Sequence, residues 1–137
     1  MLDDLPEWST PAYDAEIGPD PERWLALDEH ERIRLVKDYH RRIDDEFERP
    51  DAHASAHVIV ENQVAMGDEL PVRRKLEQLM DEGLDRHEAI HAIGAVLMMH
   101  LHDIISGAAR GSAPQAPDTY FAELEGLTAE SWRRDFG

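Results

Sequence analysis

The chain has 137 residues and a formal charge of −16, with hydrophobic residues at 42% and charged residues at 32%. That is one domain's worth of chain, enough to bury a core. The acid excess excludes nucleic acid and anionic membrane as partners, because phosphates need clustered Lys and Arg, and the lack of any cysteine excludes disulfides, thiolate zinc sites and cysteine nucleophiles.

The chain opens with residues 1–19, an acidic stretch holding Pro6, Pro11, Gly18 and Pro19 and lacking the apolar core of a signal peptide. It predicts an extended arm draped over the domain through Trp8 and Tyr13, in a cytoplasmic protein. A bundle domain is expected over 20–106, a loop over 107–117 and a helical appendage over 118–137. Asp20 as N-cap and Pro21 at the first position start a helix that Pro50 closes. Its stripe runs through Trp24, Leu27, Ile33 or Leu35, Val36, Tyr39 and Ile43. A second helix is predicted from Ala52 to Met66, stopped by Gly67, with His53, His57, Val60 and Val64 on one face and Glu61 at its border. Asp68 caps a short third helix packed through Val72, Leu76 and Leu79 and ended by Gly83.

The fourth helix is predicted from Asp85 to Ser106. It is apolar nearly all round, which marks it as the central, buried helix. Its apolar region, Ala89 to Leu101, is interrupted by His91 and His100 and reads as too short to span a bilayer. "GAARGSAPQAP" is a loop. Short helices follow from Asp118 to Leu124 and from Thr128 to Arg134, the last with Glu130 in its first turn and Arg133 and Arg134 in its last, matching the helix dipole. No strand pattern persists. The fold class is all-α: a small bundle of about four main helices with an extended N-terminal arm and short C-terminal helices.

The chemistry concentrates in the fourth helix, where His87-Glu88-Ala89-Ile90-His91 spells H-E-x-x-H. A helix turns about 100° per residue, so His87 and His91 project from one side, one turn apart, as two imidazoles sharing a metal must. In a metal-dependent hydrolase Glu88 would hold the attacking water and carry its proton, which makes it the candidate catalytic residue. The competing reading is structural: Asp85-Arg86-His87-Glu88 has the spacing of a capping box, with Glu88 returning to the Asp85 backbone N–H. The longer metzincin pattern wants a third histidine where Leu97 stands, and Gly94 alone matches it.

A third ligand comes more naturally from upstream. In "HASAHVIVENQ", His53, His57 and Glu61 lie along one side of the second helix. If that helix packs against the fourth, His57 and Glu61 face His87 and His91, and the first helix can add His40. The candidate metal ligands are therefore His57, Glu61, His87 and His91, a nitrogen and oxygen set suited to a divalent Zn, Fe, Mn or Ni ion. Glu88-Ala-Ile-His91 is also an E-x-x-H, but only one copy exists, which weighs against a full di-iron centre. A metal-free buried network of the same groups is the equal alternative. His100 and His102 point to nearly opposite sides, one as a boundary and one as a surface histidine, and His30 is expected to be exposed.

"HVIVENQVAMGDELPV" followed by "LMDEGLDRHEAIHAIGAVL" resembles a family of small bacterial helical proteins known only as a domain of unknown function. The resemblance covers about Tyr39 to Leu101. It implies a helical fold without an assigned activity, and its notable positions map to His57, Glu61, Asn62, Gln63, His87, Glu88, His91 and Gly94. Three functions compete: a metal-binding helical protein with hydrolytic chemistry, a non-enzymatic interaction module or homodimer carried by the apolar fourth helix, and metal-free acid–base catalysis by Glu88 and the histidines. No substrate is indicated.

Overall fold

The computed structural model describes residues 13–43, 50–109 and 117–136. Among them are seven α-helices and no strand: α1 (Pro21–Ala26), α2 (Glu29–Arg42), α3 (Pro50–Ala65), α4 (Val72–Asp81), α5 (Arg86–Ala109), α6 (Pro117–Glu125) and α7 (Ala129–Phe136), with one 3-10 turn at Gly67–Glu69. The predicted all-α bundle is what forms.

The first predicted helix is two helices. Asp20 caps α1 by accepting from the Arg23 N–H, but Leu27 turns extended at ψ 152° and ends it. Asp28 then caps α2 through the Glu31 N–H. A second aspartate able to satisfy free N–H groups restarts the helix in a new direction, which a hydrophobic stripe cannot reveal. Pro50 opens α3 rather than closing its predecessor. Proline at a first helical position has no N–H to lose. Pro71, not Asp68, stands at the N-cap of α4, with Asp68 inside the preceding 3-10 turn.

The central helix is α3, which packs against α1, α2, α4 and α5. Its side chains are divided between two apolar clusters. Val58 joins Tyr13, Trp24, Val36 and Tyr39 on one side. Val60 joins Leu76, Leu79, Ile90, Ile93 and Leu124 on the other. α3 carries buried His57 and Glu61 among its apolar residues, so all-round apolarity points to α5 as the central helix instead.

α5 is buried mainly over its first half, with His100 the buried exception beyond it. Beyond Leu97 it exposes Met98, Met99 and Ile105, the last at 69%. Its Arg86–Gly107 stretch of 22 residues is, by length and composition alone, long enough and apolar enough to cross a membrane, contrary to the shorter span read from the sequence. Yet its first half is packed against α3 and α4.

Of the predicted arm, residues 1–12, including Trp8, lie outside the described residues. Tyr13 and Ala15 are buried, at 2% and 0% exposure. A turn from Asp14 to Gly18 follows, closed by the Gly18 N–H on the Asp14 carbonyl at 2.9 Å. Gly18 has φ +84°, and a Cβ there would meet the Arg86 guanidinium at 2.6 Å. Both its backbone conformation and that close approach require glycine.

Candidate metal centre

Three helices deliver five imidazoles to one place. α2 supplies His40, α3 supplies His53 and His57 one turn apart, and α5 supplies His87 and His91 one turn apart. The i, i+4 spacing puts each pair on one side of its helix. Because α3 packs against both α2 and α5, the three sets converge. The His87 and His91 rings lie 4.2 Å apart, those of His53 and His91 4.7 Å, and His40 stacks on His91 at 5.9 Å and 9°.

One ligand atom from each of His40, His53, His57 and His91 lies within 4.8 Å of the others, so the group can hold a metal ion. His40 Nε2 is 3.2 Å from His53 Nε2 and 3.3 Å from His87 Nε2. Nitrogens bound tetrahedrally at about 2.0–2.1 Å from zinc stand roughly 3.3–3.4 Å from one another. The His40–His53 spacing is close to one edge of that tetrahedron, and the four-histidine group as a whole spans up to 4.8 Å.

Hydrogen bonds to the far side of two rings fix which nitrogen carries a lone pair. His40 Nδ1 lies 2.8 Å from the Val36 carbonyl oxygen. A carbonyl only accepts, so Nδ1 donates and Nε2 keeps its lone pair for the cluster. The arrangement at His57 is longer. Glu61 accepts from Arg86 at 2.7 Å on Oε2 and 2.9 Å on Oε1. Tyr13 donates its hydroxyl proton to Glu61 Oε2. The Tyr13 oxygen, 2.8 Å from His57 Nε2, must then accept from that nitrogen. His57 Nδ1 is left with the lone pair, buried and without a hydrogen-bond partner among the described residues. A buried polar atom of this kind calls for a ligand. The carboxylate–tyrosine–histidine chain is the type of outer support that orients a metal-binding imidazole.

The electrostatics keep His57 and His91 neutral. Burial pushes His57 well below the ordinary histidine range, and repulsion by His91, His40, His87 and His53 adds to it. Burial, helped by His87, His53 and His40, lowers His91 to about 3. Neutral imidazoles are the form that ligates. Burial and the Glu61 charge beside it push Tyr13 upward, so it stays a phenol and a donor.

The segment from Tyr13 to Gly18 is the lid of this arrangement. Arg86 Nη1 donates to the Ala15 carbonyl at 2.9 Å, and Arg42 Nη2 to that of Tyr13 at 2.7 Å. The Glu16 carboxylate accepts from the His87 N–H at 3.3 Å, at the start of α5. The favourable N-terminal field for a carboxylate helps hold it there.

Of the predicted ligands, His57, His87 and His91 come together, and His40 joins them from α2. His53, placed on the right face but not chosen, belongs to the same group. Glu61 does not enter the ligand group: it is 1% exposed, and both oxygens are taken by Arg86 and Tyr13. Its chemistry was legible, its partners were not, because Tyr13 and Arg86 are 48 and 25 residues away.

Glu88 is exposed on the outside of α5. Its N–H donates to Asp85 Oδ1 at 2.8 Å, half of the expected capping box. Its carboxylate accepts from Trp132 Nε1 at 3.0 Å instead of returning to Asp85. Asn62 accepts from Trp24 Nε1 and Arg32, and Gln63 from the Tyr120 hydroxyl, so both tie side chains of other helices rather than buried backbone. His100 is buried beside Tyr120, with Nδ1 3.6 Å from Glu123, while His102 and His30 are exposed.

A cavity of about 490 Å³ abuts the cluster, walled by His53, His57, His91, Ile90, Gly94 and Trp132 among others. It reaches the surface at Ala52 and Met98, both exposed. Comparison with protein-family models, with curated proteins and with solved structures finds no match, and the chemistry of the centre rests on its geometry.

Proposed function

We propose that this protein binds one divalent transition-metal ion through the imidazoles of His40, His53, His57 and His91, with His87 as a fifth neighbour. The observation that carries it is that ligand atoms of these four imidazoles all lie within 4.8 Å of one another, with His40 Nε2 3.2 Å from His53 Nε2 and a buried lone pair on His57 Nδ1. With Glu61 committed to Arg86, the donor set is all nitrogen. That favours zinc, iron or nickel over manganese, which prefers oxygen.

An ion held by all four imidazoles would be closed to solvent; held by three, it would keep a position open and would supply the acidity that a bound water needs for hydrolytic chemistry. The chain's part is to hold the rings: Val36 and Tyr13 set the tautomers of His40 and His57, and Glu61 and Arg86 hold Tyr13. Glu88, bound to Trp132, is not required for this role.

Elemental analysis of protein expressed with supplemented metal tests the reading. About one ion per chain is expected, with bound metal raising thermal stability and His57→Ala and His91→Ala abolishing both effects. Less than about a tenth of an ion per chain sinks it.

A second reading, an interaction module that self-associates, is supported by Met98, Met99 and Ile105 exposed along the distal half of α5. Light scattering that finds only monomer at high concentration removes it.

A further inference from the structure

The cavity beside the cluster has a chemistry of its own. None of its lining residues among those described is Asp, Glu, Lys or Arg. Its polar groups are the imidazoles of His53, His57 and His91 at the inner end and the indole of Trp132 at the wall. Ile90, Met98 and the small residues Ala56, Gly94 and Ala95 supply the rest. Its volume of about 490 Å³ lies within the range of small-molecule sites.

Gly94 is a second, independent pointer. It sits inside α5, where glycine weakens a helix relative to alanine. Close packing does not require it. A Cβ there would find only Val60 Cγ2, at 4.0 Å, an ordinary contact. Gly94 has helical backbone and needs no positive φ. What the missing methyl leaves open is the wall of the cavity. Trp132 is fixed in turn by its bond to Glu88, which gives that carboxylate a role the catalytic reading did not supply.

We propose that this cavity binds a small molecule with an uncharged, apolar body and a single nitrogen or oxygen donor at its inner end, the donor meeting the metal held by the imidazoles. Among the described residues no charged side chain lines the cavity, which selects against ligands that carry charge on the body, away from the metal. The indole of Trp132 in the lining suits an aromatic body. The donor end rests on the metal reading above; the apolar body does not.

The test uses imidazole and benzimidazole as probes, which share a donor and differ in apolar body. In cobalt-loaded protein, shifts of the visible cobalt bands report donor binding. Benzimidazole is expected to bind at least about tenfold more tightly than imidazole, because its fused ring leaves water for the cavity. Ala95→Phe, which places a ring in the cavity, should remove most of that advantage. Equal affinity for the two probes, or benzimidazole binding untouched by Ala95→Phe, overturns the proposal.

A fluorinated benzimidazole followed by fluorine NMR in metal-free protein separates the two readings. Line broadening that Ala95→Phe removes supports the cavity even if cobalt never loads, in which case the metal reading alone has failed. No broadening in the metal-free protein and no preference in the cobalt protein overturn the cavity proposal while leaving metal binding intact.

Discussion

Replacing Glu61 by glutamine takes a charge from a carboxylate that is 1% exposed and leaves Arg86, 9% exposed, with no counter-charge in its place. Three donors converge on that carboxylate: Arg86 Nη1 at 2.7 Å, Arg86 Nη2 at 2.9 Å and the Tyr13 hydroxyl. An amide keeps one oxygen and sets an N–H against one of these donors. Removing one partner of a buried ion pair costs about 3–5 kcal/mol, mostly the cost of the stranded charge. A chain of this length has a total stability of roughly 7–20 kcal/mol, so Glu61→Gln should still fold but unfold at markedly lower urea. The assay is urea denaturation of metal-free protein at neutral pH, followed by circular dichroism. Pairing the change with Arg86→Met should cost less than the sum of the two single changes, because the second removes the charge that the first strands. The reasoning fails if Glu61→Gln costs less than about 1 kcal/mol, since a pair so easily broken would be solvated and could not anchor the Tyr13–Gly18 segment.

Tyr13→Phe keeps the ring packing but removes the acceptor for His57 Nε2, so metal affinity should fall about 10–100-fold in competition with a chromophoric chelator, and an unchanged affinity would disprove the outer support. Metal-free protein should lose stability as pH drops. His57 and His91 are lowered in the fold, so below the ordinary histidine value near 6.5 the unfolded chain takes up protons that the native state refuses. The loss begins there and continues as pH falls toward the folded value; His91 alone, at about 3, contributes a loss of about 2 kcal/mol by roughly pH 5. Denaturation midpoints flat from neutrality to that pH would contradict the burial of the cluster. Gly18→Ala should cost about 1–3 kcal/mol, from its positive φ and from displacing Arg86, and a neutral result in thermal melts would mean that the turn relaxes freely. Leu79→Ala, at a fully buried position of the α4–α5 core, should cost about 2–5 kcal/mol, against under about 1 for Met80→Ala on the exposed side of the same helix.

Local signals carried the fold far. Asp20 before Pro21, Gly83 after the Leu76–Leu79 stripe and the Arg133–Arg134 end of α7 are short-range features, and each marks a boundary within a few residues of where it forms. The break at Leu27–Asp28 was missed because two caps compete inside one hydrophobic stripe. The central helix was assigned to α5 rather than α3 because the buried His57 and Glu61 interrupt the apolar surface of α3. In the site, the pairs His53–His57 and His87–His91 were readable from i, i+4 spacing alone. His40 was only an addition from a neighbouring helix, and the role of Arg86 could not be read at all.

The sequence alone determined that the chain is helical, that it has no thiol chemistry, and which histidines share a helix face, because these depend on composition and on rotations of about 100° per residue. Only the tertiary structure decided that α2, α3 and α5 meet at one point, that Glu61 supports Tyr13 rather than joining the imidazoles, and that Glu88 turns to Trp132. Those outcomes depend on which groups the packing brings within hydrogen-bond distance across tens of residues. A carboxylate beside both a histidine and an arginine is settled by the buried charge that most needs it.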